Sequence, residues 1–269
     1  MLASFDLYRR LIAIRMRSQM QYRGSFLLDT ANTLVSSIVG FLSVALVVQR
    51  FGGISGWSLW EIGFLYGMVE IAFGLMDMIF SGFDPQNFGR QVRMGAFDQL
   101  LLRPVSISLQ VLGSEFVLRR LGRVFQGAVI LFLAIQNLSI AWTAGRIIYL
   151  LLVLTSQVLF FGGLFMIGAA LSFWTVEALE VVNIFTYGGN EMMAYPMNIY
   201  PDWLVRFFTL IIPAIFMNFY PALYFLNKPD PFGMPVICQF LAPLVGLGVL
   251  LAAFAFWRYG VAHYQSTGT

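Results

Sequence analysis

The chain has 269 residues, of which 59% are hydrophobic and only 11% are charged, and its formal net charge is +3. Soluble domains are usually about 45–50% apolar and about 25% charged, so this composition excludes an ordinary soluble domain and indicates one membrane domain over residues 1–269. The basic excess does not indicate nucleic acid as a partner, because the arginines flank apolar stretches, as is typical of membrane orientation.

The N-terminal segment is basic. Residues 4–23 contain five arginines, and Leu7, Leu11 and Ile14 recur among them at helical spacing. This pattern predicts a helix within residues 1–25 that lies on the cytoplasmic membrane surface. The alternative is a polar leader that follows the positive-inside rule, and both alternatives place the N-terminus in the cytoplasm.

The first predicted span covers residues 26–49, which is long enough for a bilayer core that requires about 20 residues. Its small and polar residues recur at steps of four and three, so they share one helical face that is not expected to contact lipid. These residues are Asp29, Thr33, Ser36, Gly40 and Ser43. The glycine-rich turn that follows contains Trp57, as is typical of a non-cytoplasmic interface.

The second predicted span, residues 59–81, has a sharper face of the same kind, formed by Gly63, Gly67, Glu70, Gly74 and Asp77. Gly63 and Gly67 form a G-x-x-x-G pair that allows another backbone to approach closely. A charged carboxylate near mid-membrane costs about 2.5–3.5 kcal/mol, so Glu70 is expected to face protein, water or substrate, or to be protonated. It either takes part in a transport pathway or hydrogen-bonds a neighbouring helix.

Residues 82–123 are the only long polar stretch, with six arginines and three acids. Residues 105–123 within it are predicted to form an interfacial helix that leads into a third span at residues 124–140. A fourth span follows at residues 146–174, and the last span covers residues 234–257.

Two layouts fit the region between the fourth and last spans. Either residues 178–198 cross the membrane and residues 200–226 contain a re-entrant hairpin, or residues 176–200 stay cytoplasmic and residues 204–226 are the fifth span. We favour the first, because broken apolar helices are tolerated where they line a cavity or pack on protein. In both, 12 of the 16 Lys and Arg residues are cytoplasmic, which predicts that both termini are cytoplasmic.

Groups for catalysis are scarce. The sequence contains no phosphate-binding loop motif, and its single His263 and single Cys238 supply neither a catalytic pair nor a metal cluster. We therefore expect no catalytic residue, no metal and no cofactor in this chain, and transport remains as the function.

A short helix is predicted within residues 95–103. Gly95 allows a turn, and Pro104 ends the helix because the residue before proline avoids helical geometry. Phe97, Leu100 and Leu101 form an apolar side that nothing in this chain is expected to bury, and Asp98 and Arg103 would fix the register of a soluble partner. The alternative is a membrane-surface helix without a partner.

The sequence MGAFDQLLLRPVS at residues 94–106 resembles the cytoplasmic-loop signature of a bacterial family of six-span permeases in the type-2 ATP-binding-cassette (ABC) superfamily. The segment GISGWSLWEI at residues 53–62 and the tail YQSTG at residues 264–268 also resemble features of that family. The resemblance implies an all-α, six-span permease of the bacterial inner membrane, with a re-entrant hairpin before the last span. It also places the coupling helix at Gly95, Phe97, Asp98, Leu100, Leu101, Arg103 and Pro104.

The partners implied by the resemblance are separate ATPase subunits that bind ATP and Mg, a second permease that is identical or related, and membrane lipids. The expected function is export of an amphipathic or lipophilic small molecule, and the direction rests on the resemblance alone. Asp29, Ser36, Gly40, Gly63, Gly67, Glu70, Gly74 and Asp77 are assigned to the pathway or to helix packing. The alternatives are a proton-coupled transporter with Glu70 and Asp29 as relay carboxylates, and a membrane scaffold that recruits a cytoplasmic partner.

Overall fold

A computed structural model describes residues 2–21, 23–175 and 182–266, and over these residues the chain is helical, without a β-strand. Short 3-10 or π-helical turns join several of the helices. In chain order the helices are α1 (Leu2–Gln21), α2 (Arg23–Phe51), α3 (Leu59–Phe80), α4 (Pro85–Arg93), α5 (Ala96–Leu101), α6 (Ile107–Leu112), α7 (Leu121–Asn137), α8 (Ala144–Leu171), α9 (Gly189–Met193), α10 (Asp202–Leu210), α11 (Phe219–Leu226) and α12 (Ala242–Ala262).

Four of the described helical segments are long and apolar enough to cross a membrane: Leu27–Leu46, Leu59–Arg93, Ala144–Leu171 and Ala242–Ala262. They contain the first, second, fourth and last predicted spans. The third predicted span is α7, whose 17 residues are at the lower limit of the length that a bilayer requires. α10 and the segment Ala214–Leu226 form a further pair, bent by 81°.

We call the two ends of this helical assembly the Trp57 end and the Phe97 end, after the aromatic residue buried at each. At the Trp57 end, α3 begins in a capping box: the Ser58 backbone donates to Glu61 at 2.7 Å, and the Glu61 backbone donates to the Ser58 hydroxyl at 3.4 Å. Lys228 joins this turn by bonding the Glu61 carboxylate at 2.8 Å. At the Phe97 end lie α4, α5 and α6.

α3 is the central helix, since 83% of the most apolar stretch of Leu59–Arg93 is buried within the chain. It packs against α7 on one side and α8 on another, and α8 packs against α12. The corresponding stretch of α2, within Leu27–Leu46, is only 6% buried. α2 is therefore peripheral in the isolated chain.

Residues 182–198 run between the two ends of the helical assembly. Near the Phe97 end, the Tyr187 hydroxyl bonds Asp84 at 3.3 Å, whereas at the Trp57 end the Asn198 amide bonds the Ser55 carbonyl at 3.1 Å. Residues 202–226 then begin and end at the Trp57 end, because Asn227 contacts Arg146 at 3.1 Å. The choice between the two predicted layouts stays a prediction, and residues 176–181 lie outside the described part of the chain.

The bend between α10 and α11 is held in the core by Asn218. Its amide donates to the carbonyls of Leu65, at 3.1 Å, and Met193, at 2.7 Å, and its oxygen accepts from Gln157 at 3.2 Å. An irregular backbone at membrane depth requires such internal partners, because lipid offers none.

The prediction of one interfacial helix over residues 105–123 is wrong. α6 ends at Leu112, and α7 begins only at Leu121 after an irregular segment and a 3-10 turn. The side-chain amide of Gln19 on α1 donates to the Phe116 carbonyl and accepts from the Leu118 backbone at 3.0 Å. These backbone groups therefore bond α1 rather than a continuous helix.

We expect Asn218→Ala to lower the free energy of unfolding by about 1–3 kcal/mol, because it leaves buried polar partners unsatisfied. Unfolding of the purified protein in detergent measures the change. Asn137→Ala is the matched control, since Asn137 is exposed and bonds only the Leu133 carbonyl one turn away, at 2.8 Å. Equal losses in the two variants would contradict a role for Asn218 in holding the bend.

Candidate functional site

Three acids of the first two spans pair with three arginines at the start of α7. The Arg119 and Asp29 side chains are 3.5 Å apart, and Arg120 Nε lies 2.7 Å from Asp77 Oδ2. The contact between Arg120 and Asp77 is an ion pair in which Nε and Oδ2 are not aligned for a hydrogen bond. The third pair joins Arg123 to Glu70.

The Glu70–Arg123 pair is bidentate and nearly inaccessible to solvent. Arg123 donates from Nε to Glu70 Oε2 at 2.5 Å and from Nη2 to Oε1 at 2.8 Å. Glu70 is 3% exposed, and the guanidinium carbon lies 4.6 Å from the centre of the Phe73 ring. Glu70 therefore faces a neighbouring helix and hydrogen-bonds it, which is one of the alternatives predicted for it.

Glycines allow α3 and α7 to approach closely enough for this pair. A side chain added at Gly67 would come within 2.8 Å of the Leu131 backbone, and one added at Gly127 would come within 2.9 Å of the Ile71 backbone. Gly74 likewise lies against Val124, whereas Gly63 makes only ordinary contacts with Ala134. Gly63, Gly67 and Gly74 are therefore positions of helix packing.

A cavity of about 390 Å³ lies beside the ion pair, between α2, α3, α7 and residues 182–198. Among the predicted residues, the structure brings Ser36, Gly40 and Glu70 together in its wall. Asp29 and Asp77 take part in the other ion pairs instead. The wall residues are Asn32, Thr33, Ser36, Gly40, Val44, Tyr66, Glu70, Arg120, Arg123, Glu191 and Tyr195.

Sequence reasoning missed Arg120, Arg123, Glu191 and Tyr195. The arginines were assigned to the cytoplasmic loop, and the other two lie in a segment that is polar for a span. The charge balance was the available signal, since carboxylates inside apolar spans require cations and residues 82–123 contain six arginines.

A second candidate site lies at the Phe97 end, where Gly95 adopts a left-handed φ of +68° and α5 follows. The expectation that nothing in the chain buries Phe97 is wrong: its exposure is 0%. Its ring packs against Phe88, Phe173, Trp257 and Tyr264, with centroid distances of 4.8–6.5 Å. We call these five residues the Phe97 cluster; they bring together segments that are remote in sequence.

Beyond this cluster the chain presents an exposed tip, defined as Met94, Leu101, Leu102, Arg103 and Pro104. Leu102 is 85% exposed and Met94 is 70% exposed. Leu100 is half-buried against the core. The Gln110 amide fixes the tip by donating to the carbonyls of Leu100, at 3.1 Å, and Val105, at 3.0 Å.

The C-terminal tail closes over α5. The Ser266 hydroxyl donates to Asp98 at 2.7 Å, so Asp98 contacts the tail rather than standing free for a partner. Burial and the neighbouring Asp98 carboxylate raise the pKa of the Tyr264 hydroxyl. Residues 267–268 of the tail motif lie outside the described part of the chain.

Neither site is arranged for metal chemistry. Over residues 2–21, 23–175 and 182–266, no group of three or more His, Cys, Asp or Glu side chains is placed to hold a metal ion. The first site provides a polar, charged cavity among helices, and the second provides an exposed apolar surface on a rigid base.

We expect Glu70→Gln and Arg123→Gln each to lower the free energy of unfolding by about 3–5 kcal/mol, because each leaves an uncompensated buried group. The double variant is expected to lose clearly less than the sum. Unfolding in detergent with increasing denaturing surfactant measures the cycle. The exposed Asp6–Arg10 pair, with a 2.8 Å contact, is the control, and its coupling should be below about 1 kcal/mol. Additive losses at Glu70 and Arg123 would contradict a buried pair.

Comparison with known proteins identifies the family. A family model described as an ABC-2 family transporter protein matches residues 34–268, which is most of the chain. The comparison with curated proteins found no match, and neither did the comparison with solved structures. The matched range includes the cavity wall from Ser36 onward, the Phe97 cluster and the exposed tip. The chain therefore belongs to the ABC-2 family of transporter proteins and is an ABC transporter permease.

Proposed function

We propose that this permease is the membrane subunit of an exporter and that a separate ATP-binding-cassette ATPase binds its exposed tip. The observation that carries the proposal is the combination of an apolar surface at Leu101 and Leu102 with the buried Phe97 immediately beneath it. A surface that transmits force requires both accessibility and a rigid base. ATP and Mg are bound by the ATPase partner.

The Phe97 cluster provides a route from the tip to the transmembrane helices. Phe88 belongs to α4, Phe173 directly follows α8, and Trp257 belongs to α12. α4 is joined to α3 by a single 3-10 turn, Ser81–Phe83, and the acids of α3 hold the start of α7. A displacement of the tip therefore moves helices that line the cavity.

We propose that the cavity beside Glu70 and Arg123 is part of the pathway for an amphipathic or lipophilic small molecule. Its wall combines ionised groups with the rings of Tyr66 and Tyr195, so it offers contacts to both halves of such a molecule. A second permease, identical or related, would cover α2, whose exposed apolar residues include Leu42 and Leu46.

The proposed orientation places the Phe97 end in the cytoplasm of a bacterial inner membrane, with both termini on that side. Arg119, Arg120 and Arg123 pair with acids, and nine Lys and Arg residues still remain on the cytoplasmic side when these three are left out. Four lie on the other side: Arg50, Arg146, Arg206 and Lys228. The positive-inside rule supports this orientation.

The two alternatives predict different behaviour. In a proton-coupled transporter Glu70 and Asp29 would exchange protons, but both carboxylates pair with arginines, so each proton transfer would have to break an ion pair. That alternative predicts transport by the chain alone, driven by a pH gradient. A scaffold predicts partner binding without substrate flux.

We expect Leu102→Asp to reduce co-purification with the cognate ATP-binding-cassette ATPase at least about tenfold, because it places a charge in the centre of an apolar contact. ATP-dependent transport in proteoliposomes should fall with it. The permease itself should keep its melting temperature, since Leu102 is 85% exposed.

Met20→Asp is the matched control, because Met20 is an apolar residue of α1 that is 51% exposed and lies outside the tip. The control should retain both ATPase binding and transport. Unchanged binding and transport in the Leu102 variant would refute the assignment of the tip. Transport without the ATPase, or binding without flux, would instead support one of the alternatives.

A further inference from the structure

A second cavity, of about 400 Å³, lies at the Trp57 end on the side of α10. Asp202 and Arg206 contribute to its wall one helical turn apart on that helix. Within the described part of the chain, neither side chain has an ion pair or a hydrogen bond. Opposite charges one turn apart on a helix can pair, but here the exposed Asp202 and Arg206 each present their charge separately at the cavity.

The rest of the wall is mostly apolar, and the hydroxyl of Thr209, which also lines it, donates to the Val205 carbonyl at 2.6 Å. Val205 and Ile215 are buried, and Phe232 belongs to a loop whose backbone is fixed by the Asp230 carboxylate, which accepts from the Phe232 amide at 3.0 Å. Tyr220 also lines the cavity. Tyr220 is 1% exposed, and its hydroxyl has no hydrogen-bond partner among the described residues.

The chemical groups follow a fixed order along α10. Asp202 begins the helix at the Trp57 end, Arg206 is one turn further along, and the exposed Leu210 is a further turn along, with Ile211 next to it. At about 1.5 Å of rise per residue, each step is about 6 Å. Trp203, which is exposed beside Asp202, is typical of the membrane interface.

We infer that this cavity binds the headgroup of a zwitterionic phospholipid, with a primary ammonium at Asp202, the phosphate at Arg206 and an acyl chain along Leu210. The order of the lipid's groups, from water to bilayer core, is the order of the side chains on α10. Arginine favours phosphate because its planar fork forms two charge-assisted hydrogen bonds. The Tyr220 hydroxyl supplies a further donor for the phosphate or glycerol oxygens.

The charges also determine which lipid is retained. An anionic headgroup such as phosphatidylglycerol offers Asp202 only neutral hydroxyl donors and carries a net negative charge that Asp202 repels, whereas the ammonium of phosphatidylethanolamine is attracted. Zwitterionic lipid should therefore be preferred although the cavity contains an arginine. This site is separate from the tip and from the Glu70–Arg123 cavity, so it does not depend on the proposed ATPase contact.

The test is native mass spectrometry of the full chain after equilibration in nanodiscs that contain equal amounts of phosphatidylethanolamine and phosphatidylglycerol with identical acyl chains. The wild type should retain more phosphatidylethanolamine than phosphatidylglycerol. Arg206→Gln should lose retained lipid of both kinds about tenfold, the effect of one charge-assisted contact. Asp202→Asn should shift the preference toward phosphatidylglycerol, because only the positive charge then remains.

Arg50→Gln is the matched control, because it removes one exposed arginine that lies at the end of α2, outside the cavity. It should retain lipid as the wild type does. Equal retention in the Arg206 and Arg50 variants would overturn the inference. So would a wild type without lipid preference, or an unchanged preference in the Asp202 variant.

Discussion

The bidentate contact between Glu70 and Arg123 is the constraint on which the arrangement of α2, α3 and α7 depends. A carboxylate and a guanidinium at this depth are each costly alone, and together they require α3 and α7 to stay in one register. Gly67 and Gly127 remove the side chains that would keep the two helices apart. The Arg120–Asp77 ion pair adds a second contact between an acid of α3 and an arginine, nearer the Phe97 end.

The same helices connect the two candidate sites. α3 contributes Tyr66 and Glu70 to the cavity wall, and through the turn at Ser81–Phe83 it leads directly to α4 and the Phe97 cluster. The tail adds Tyr264 to that cluster. The exposed tip, with its apolar residues Leu101 and Leu102, thus rests on a base that reaches α4, the end of α8 and α12. Movement through this connection is what the proposed coupling consists of.

Local features of this fold are predictable from sequence because they depend on neighbouring residues. The long apolar helices follow from length and hydropathy, the turn at Gly95 from its freedom to adopt positive φ, and the close approach at Gly67 from the spacing of small residues. Burial of Phe97 was not predictable, because Phe173 and Trp257 are distant in sequence. Glu191 was missed because a charged residue on an isolated segment gives no sign that it faces a cavity.

The central claim is that the tip and the cavity are mechanically coupled. Ser36 lines the cavity and is exposed, whereas the single native Cys238 is buried, so the Ser36→Cys variant allows alkylation by a water-soluble maleimide to measure access to the cavity. In the complex with the ATPase, the account predicts an alkylation rate that changes on ATP binding and stops responding when Leu102→Asp is added. An alkylation rate that does not change on ATP binding, or that changes equally when Leu102→Asp is present, would contradict the proposed coupling.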